Sequence, residues 1–179
     1  MNERPVSALP PEPINPNVLV RPPRLSFIII SLLVALLMNL FPLPENLHLW
    51  RPDFVALTLL FWCTWSPRHV GIGVSFVFGL LMDVADATLL GQHALFYTIL
   101  AFGADAFRRR VLSFPLWQQS IFVAILLALC TSLVFVVRMM SGGLPPPPAF
   151  FIVPPLSAVL WPVAQFVLQW PQRRQAKDR

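Results

Sequence analysis

Four aspartates in an otherwise apolar sequence are the first residues that could do chemistry. Asp53, Asp83, Asp86 and Asp105 lie within or beside long hydrophobic runs. A carboxylate is costly to hold at such a position, so an acid in a membrane segment is a candidate for function. Asp53 and Asp83 could share a proton as an aspartyl protease dyad does. The sequence Gly79–Asp83 lacks the Gly-x-Gly-Asp signature of intramembrane aspartyl proteases, however, and this disfavours the dyad.

Arginines near these acids offer a structural alternative. Arg51 could form a charge-assisted pair with Asp83 and so bring two helices together. Asp105 is followed three and four residues later by Arg108 and Arg109, a spacing at which opposite charges meet on a helix. We therefore predict an Arg51–Asp83 pair and a local ion pair for Asp105.

Other enzyme classes are not indicated by the sequence. It contains no His-Glu-x-x-His, Gly-x-Ser-x-Gly or P-loop motif. His48, His69 and His93 fall in three separate segments, and Cys63 and Cys130 lie inside apolar runs without a Cys-x-x-Cys pair. We interpret both cysteines as small packing residues. We predict no catalytic residue, metal site or cofactor, and hence a protein that is not an enzyme.

The composition is that of a membrane protein. Of the 179 residues, 56% are hydrophobic and 12% are charged, whereas about a quarter are charged in an ordinary soluble domain. The net charge is +5, but the basic residues do not gather with aromatics on one polar helix, so nucleic acid is not a predicted partner. A multi-pass, all-α membrane protein is therefore predicted.

Six transmembrane helices are predicted to position the four acids. They are Leu25–Pro44, Phe54–Pro67, His69–Met82, Ala94–Phe107, a helix that starts near Trp117 within the charge-free window Val111–Val137, and Phe150–Trp170. The second and third are short, with 14 residues each, so a re-entrant hairpin that turns at Ser66–His69 remains an alternative. Around this domain, residues 25–170, we predict a disordered proline-rich tail at 1–24 and a basic tail at 171–179. We also predict an extended loop at Pro145–Pro148.

The basic residues predict the orientation of the bundle. Cytoplasmic segments carry the excess of Lys and Arg in membrane proteins. With both termini in the cytoplasm, only Arg51 and Arg138 of the 13 basic residues lie outside. The inner residues are Arg4, Arg21, Arg24, Arg68, Arg108, Arg109, Arg110, Arg173, Arg174, Lys177 and Arg179. This topology places Asp53, Asp83 and Asp86 at the outer end and Asp105 near the inner end.

Small residues recur every four positions on two predicted helices. One ridge holds Gly71, Ser75 and Gly79 and leads to Asp83, and a second ridge spans residues 124–132 with Ala124, Ala128 and Ser132. Such ridges let helices approach closely in lipid. Each could serve internal packing or the docking of another protein's helix. The tryptophans fall mostly near helix ends, which predicts an interfacial belt.

Several short motifs occur in an order that resembles one family. They are Arg51-Pro52 at the start of the second helix, Pro67 in the next turn, Gly73, Gly79 and Asp83, then Leu90-Gly91, Leu116-Trp117-Gln118-Gln119 and Leu160-Trp161-Pro162. From about Arg24 to Trp170 the chain resembles MreD, the family of bacterial rod shape-determining membrane proteins. The long proline-rich tail and the Pro145–Pro148 loop depart from the family pattern.

The resemblance implies a non-catalytic scaffold in the bacterial inner membrane. Its implied role is to bind MreC and to help maintain rod shape by organising peptidoglycan synthesis, in a machinery that includes MreB, RodA and a class B penicillin-binding protein. Membrane lipids are further partners. The implied fold is similar to the S-components of energy-coupling-factor transporters, so a small-molecule or lipid-binding transporter subunit is an alternative. The partner or helix-packing candidates are Arg51, Pro52, Gly71, Ser75, Gly79, Asp83, Gly91, Trp161 and Pro162.

Overall fold

The computed structural model describes residues 24–42, 51–87, 90–142 and 151–177, with side chains up to residue 170. In these ranges the chain forms seven α-helices and no strand. The helices are α1 (Leu25–Leu40), α2 (Phe54–Trp65), α3 (Ile72–Ala85), α4 (Gln92–Ser113), α5 (Leu116–Met140), α6 (Val153–Val159) and α7 (Trp161–Lys177). The all-α prediction is therefore confirmed. The predicted proline-rich tail at residues 1–24 lies outside the described residues except for Arg24. The predicted Pro145–Pro148 loop also lies outside them.

Only α5, among the helices described, is both long and apolar enough to cross a membrane by itself. Helices α1, α2 and α3 are apolar but shorter. The six membrane spans, the S-component-like arrangement and the choice between spanning and re-entrant α2 and α3 therefore stay predictions.

Two helix ends differ from the sequence prediction because of proline. Helix α4 does not stop at Phe107 but continues through three arginines, which favour helix, to Ser113. It ends because Pro115 forces the preceding Phe114 into an extended conformation, with ψ of 145°. The last predicted helix is divided into α6 and α7. Pro162 is the second residue of α7, a position where its missing N–H costs little.

Helix α2 is the centre of the bundle. Eleven of its twelve residues are buried, and it contacts α1, α4 and α7. A helix that is hydrophobic on all sides is expected to be surrounded by other helices. The belt prediction is therefore wrong for Trp62, Trp65 and Trp161, which are buried in the core, whereas Trp117 and Trp170 are exposed.

A short turn and two interhelical contacts set the direction of the helices around α2. Residues 66–71 connect α2 to α3, and hydrogen bonds from the backbone N–H groups of His69 and Val70 to Ser66 O, at 3.0 and 3.1 Å, hold this turn. Helix α4 then runs beside α2 in the same direction, because Tyr97 reaches the start of α2 and Arg108 reaches its end. The three aspartates at 53, 83 and 86 thus lie at one end of the bundle, which we name the acidic end.

Candidate functional site

Asp53 joins four helices at the acidic end. Its carboxylate accepts hydrogen bonds from Asn39 Nδ2 on α1 at 2.9 Å and from the Tyr97 hydroxyl on α4 at 2.9 and 3.1 Å. It also caps α2 by accepting from the backbone N–H of Ala56 at 2.8 Å. The backbone N–H of Asp53 donates to Ser157 Oγ on α6 at 3.2 Å. A carboxylate with so many donors is suited to clamping helices together.

Asp83 ties the end of α3 to the start of α4. Its side chain is buried and accepts from the backbone N–H groups of Gly91 at 2.8 Å, His93 at 2.7 Å and Ala94 at 3.3 Å. The His93 imidazole adds a contact from Nδ1 at 3.0 Å. These backbone groups are the unpaired donors of a helix N-terminus, whose dipole also favours a negative charge. Asp83 therefore acts as a cap for α4 that is supplied by the neighbouring helix.

The close approach of α3 and α4 depends on Gly79. A Cβ atom at this position would lie 2.5 Å from Ala94 N and 2.7 Å from His93 C, and closer still to Ala94 Cα. These are backbone atoms, so they cannot move aside as a flexible side chain can. Gly91 has the second special role, because its φ of 100° turns the chain into α4 in a conformation that only glycine adopts readily.

Arg51 pairs with Asp86 and not with Asp83, so the predicted Arg51–Asp83 pair is wrong. Its Nη2 atom is 4.0 Å from Asp86 Oδ1, and Nη1 donates to Phe41 O at 3.4 Å. Asp83 points instead towards α4, where His93 lies between the two acids, with Nε2 3.9 Å from Asp86 Oδ2. Arg51 thereby connects the end of α1 with the end of α3.

The opposite end of the bundle carries four arginines, at positions 68, 108, 109 and 110, and we name it the arginine end. Arg108 Nε donates to Thr64 O at 2.7 Å. The predicted pairing of Asp105 with Arg108 or Arg109 is wrong, since Asp105 is exposed and forms no ion pair within the described residues. Arg108 is turned towards the end of α2, where a cation complements the helix dipole.

The other predicted residues are distributed along the bundle. Gly71 precedes α3 as its N-cap. Ser75 is buried, and its Oγ atom lies 3.8 Å from Cys63 Sγ. Pro52 lies in the irregular segment before α2. Trp161 is fully buried at the start of α7, donates to Gln119 Oε1 at 3.4 Å and is followed by Pro162. Ser75, Gly79 and Asp83 therefore face the inside of this chain.

Sequence reasoning did not find the partners of the two central acids. None of Asn39, Tyr97 and Ser157 is named by the sequence analysis, and His93 is considered there only as a metal ligand. A signal was available, because Tyr97 is the only tyrosine of the chain and Asn39 is a polar residue near the end of an apolar helix. Such residues in membrane helices usually find polar partners.

Chemically, this arrangement resembles a set of structural clamps. Asp53 and Asp83 accept hydrogen bonds from donors on α1, α2 and α4. These bonds hold the helices in fixed positions relative to one another. Across the ranges that are described, no three His, Cys, Asp or Glu side chains come together as metal ligands would. The candidate site is thus an organised polar end of a helical bundle.

Comparison with known proteins decides the family. The family model for the rod shape-determining protein MreD matches residues 24–170. The chain is also 30% identical over 152 residues to the rod shape-determining protein MreD of Haemophilus influenzae, with 84% of this chain and 93% of that relative covered. The chain belongs to the MreD family. The predicted resemblance is therefore confirmed, and no solved structure matches the chain at a significant level.

Family membership gives the chain a general role. MreD proteins are membrane proteins of the cell envelope that take part in determining rod shape. They form a family of structural, shape-determining proteins and not a known enzyme family. The polar clamps of the acidic end agree with such a structural role.

Proposed function

We propose that this chain is a non-catalytic scaffold of the bacterial cell-elongation machinery in the inner membrane. It binds MreC, works with MreB, RodA and a class B penicillin-binding protein, and helps to organise peptidoglycan synthesis. The observation that carries this proposal is the match to the MreD family over residues 24–170. In the proposed orientation both termini and the arginine end face the cytoplasm, in line with the distribution of basic residues.

The internal contacts support a scaffold with a fixed shape. The ridge of Ser75, Gly79 and Asp83 is occupied by contacts within the chain, so it is a poor surface for a partner helix. The exposed residues around it are better candidates. Leu90, in the loop between α3 and α4, is 76% exposed, and exposed Val84 lies nearby at the end of α3. We propose that MreC contacts this apolar rim of the acidic end.

The role in cell shape is tested by depleting the protein in its rod-shaped host. Cells that become round and swollen, and that recover when the intact gene is restored, would support the scaffold role. Cells that remain rods under confirmed depletion would refute it and favour the alternative of a transporter subunit that binds a small molecule or lipid.

The proposed MreC contact is tested by copurification with Leu90→Ser. The matched control is Leu116→Ser at the start of α5, because Leu116 is also an exposed leucine, at 50%, and lies at the arginine end. We expect Leu90→Ser to lower the amount of MreC recovered per molecule of this chain and Leu116→Ser to leave it unchanged. Equal recovery with both variants would place the MreC contact elsewhere. Size-exclusion profiles of both variants control for folding.

A further inference from the structure

The arginine end presents a guanidinium group, that of Arg108, which uses one of its N–H donors within the described part of the chain. Arg108 is half-buried, and its Nε atom is fixed by the hydrogen bond of 2.7 Å to Thr64 O in the last turn of α2. A guanidinium group has five N–H donors. The described part of the chain provides no acceptor for the two Nη groups of Arg108, which leaves a preoriented fork that suits a phosphate group.

A second arginine lies close to the same helix end. Arg68 is exposed in the turn after α2, four residues beyond Thr64. The hydrogen bonds of this turn and the buried side chain of Val70 fix its backbone. Arg109 and Arg110 are exposed on α4. Within the described ranges none of the four arginines forms an ion pair with a carboxylate, so their positive charge is not neutralised there.

Exposed aromatic residues lie on the same faces of α4 as two of these arginines. Phe102 is 62% exposed and precedes Arg109 by seven residues, or about two helical turns. Phe107 is also exposed and precedes Arg110 by three residues. Each face therefore changes from apolar to cationic along the helix. A membrane surface has the same order, because acyl chains are followed by charged headgroups.

We propose that the arginine end is a binding site for an anionic phospholipid. Arg108 and Arg68 bind the headgroup phosphate, Arg109 adds positive charge beside it, and an acyl chain lies along Phe102 on the same face of α4 as Arg109. A soluble acidic protein is a less suitable ligand, because it would bind the arginines but make no use of Phe102, which is 62% exposed, whereas Phe107 already contacts Phe122 on α5. The proposal does not depend on the role of the chain in cell shape.

The site is tested with the full chain purified in an uncharged detergent. Native mass spectrometry measures the binding of phosphatidylglycerol and of zwitterionic phosphatidylcholine to the wild type, to Arg68→Gln and to Arg108→Gln. The matched control is Arg138→Gln, which removes the same charge from the last turn of α5, away from the arginine end. We expect each test variant to weaken phosphatidylglycerol binding by roughly fivefold, as for loss of one basic residue at an anionic membrane. Arg138→Gln and phosphatidylcholine binding should show no such change.

Arg68→Gln decides the test if Arg108→Gln unfolds. Arg108 also holds the end of α2, whereas Arg68 makes no hydrogen bond through its side chain in the described part of the chain. Phosphatidylglycerol binding by folded Arg68→Gln that equals the wild type would overturn the proposal. It would also be overturned if equimolar inorganic phosphate displaced the lipid, or if a polyglutamate peptide bound more tightly than the lipid with the same dependence on Arg68.

Discussion

A methyl group added at Gly79 should separate α3 from α4. The new Cβ atom of Gly79→Ala would lie 2.5 Å from Ala94 N, whereas an ordinary contact needs about 3.5 Å or more. The helices must therefore move apart by more than about 1 Å at this point, because Ala94 Cα is nearer still to the new Cβ atom. The movement also lengthens the hydrogen bonds from the start of α4 to Asp83, which is one turn further along α3. Overpacking of this kind typically costs about 1–3 kcal/mol of unfolding free energy.

Gly73→Ala is the matched control for this substitution. Gly73 lies on the same helix, and a Cβ atom there would meet nothing within 4 Å. Both substitutions gain helix propensity, so the difference between them isolates the steric effect. Gly103→Ala should fall between the two, because its Cβ atom would meet a movable side-chain atom, Leu126 Cδ1, at 2.6 Å.

Thermal unfolding in detergent can be followed with a thiol-reactive fluorophore. Cys63 and Cys130 are free and buried, so they react when the bundle opens and no probe must be introduced. A loss of 1 kcal/mol lowers Tm by roughly 2–4 °C for a chain of this size. We expect Gly79→Ala to melt below Gly73→Ala by about 2–12 °C. Equal Tm values for the two variants would refute the close packing of α3 against α4.

Three further substitutions, with Asp105→Asn as a control, test the acidic end with the same unfolding assay. Asp83→Asn replaces an acceptor of three backbone N–H groups with an amide and should cost about 2 kcal/mol or more. The control Asp105→Asn, at an exposed site with no ion pair to another described residue, should cost less than about 0.5 kcal/mol. Equal losses would refute the capping role. Tyr97→Phe removes the hydroxyl donor to Asp53 and should cost about 1.5–3 kcal/mol, so an unchanged Tm would contradict that contact. Gly91→Ala should cost about 1–2 kcal/mol because of its positive φ, and a neutral result would argue against this backbone conformation.

The sequence allowed much of the local structure to be predicted. Pro115 indicated where α5 begins, within one residue, and the acid at 53 indicated the start of α2, where it is the N-cap. The start of a helix depends on residues that are adjacent in the chain, so it can be predicted from the sequence alone. The predicted end of α4 at Phe107 is too early because arginine is a good helix former and the three arginines continue the helix to Ser113.

The pairing of the acids could not be predicted in the same way. Asp83 and Asp86 are three residues apart and both lie near the end of α3, so chain spacing makes either a partner for Arg51. The choice depends on the rotation of α3 against α4, which places Asp83 over the N-terminus of α4 and leaves Asp86 for Arg51. That rotation follows from the contact at Gly79, whose partner on α4 is distant in sequence. The sequence indicated a close helix contact there but not which helix would make it.

The polar contacts at both ends of α2 have a common physical cause. With twelve residues, α2 is about 18 Å long, well short of the hydrocarbon thickness of about 30 Å. In the predicted membrane placement of α2, its unpaired terminal backbone groups lie at a depth where water cannot satisfy them. Asn39 accepts from Phe54 N at 3.0 Å, Asp53 accepts from Ala56 N, and Arg108 donates to Thr64 O. Three side chains, two of them from other helices, therefore form hydrogen bonds with the terminal backbone groups of α2. At the ends of a helix in a soluble protein, water can form these bonds. The positions of Asp53 and Arg108 are thus explained by the length of the central helix before any partner is considered.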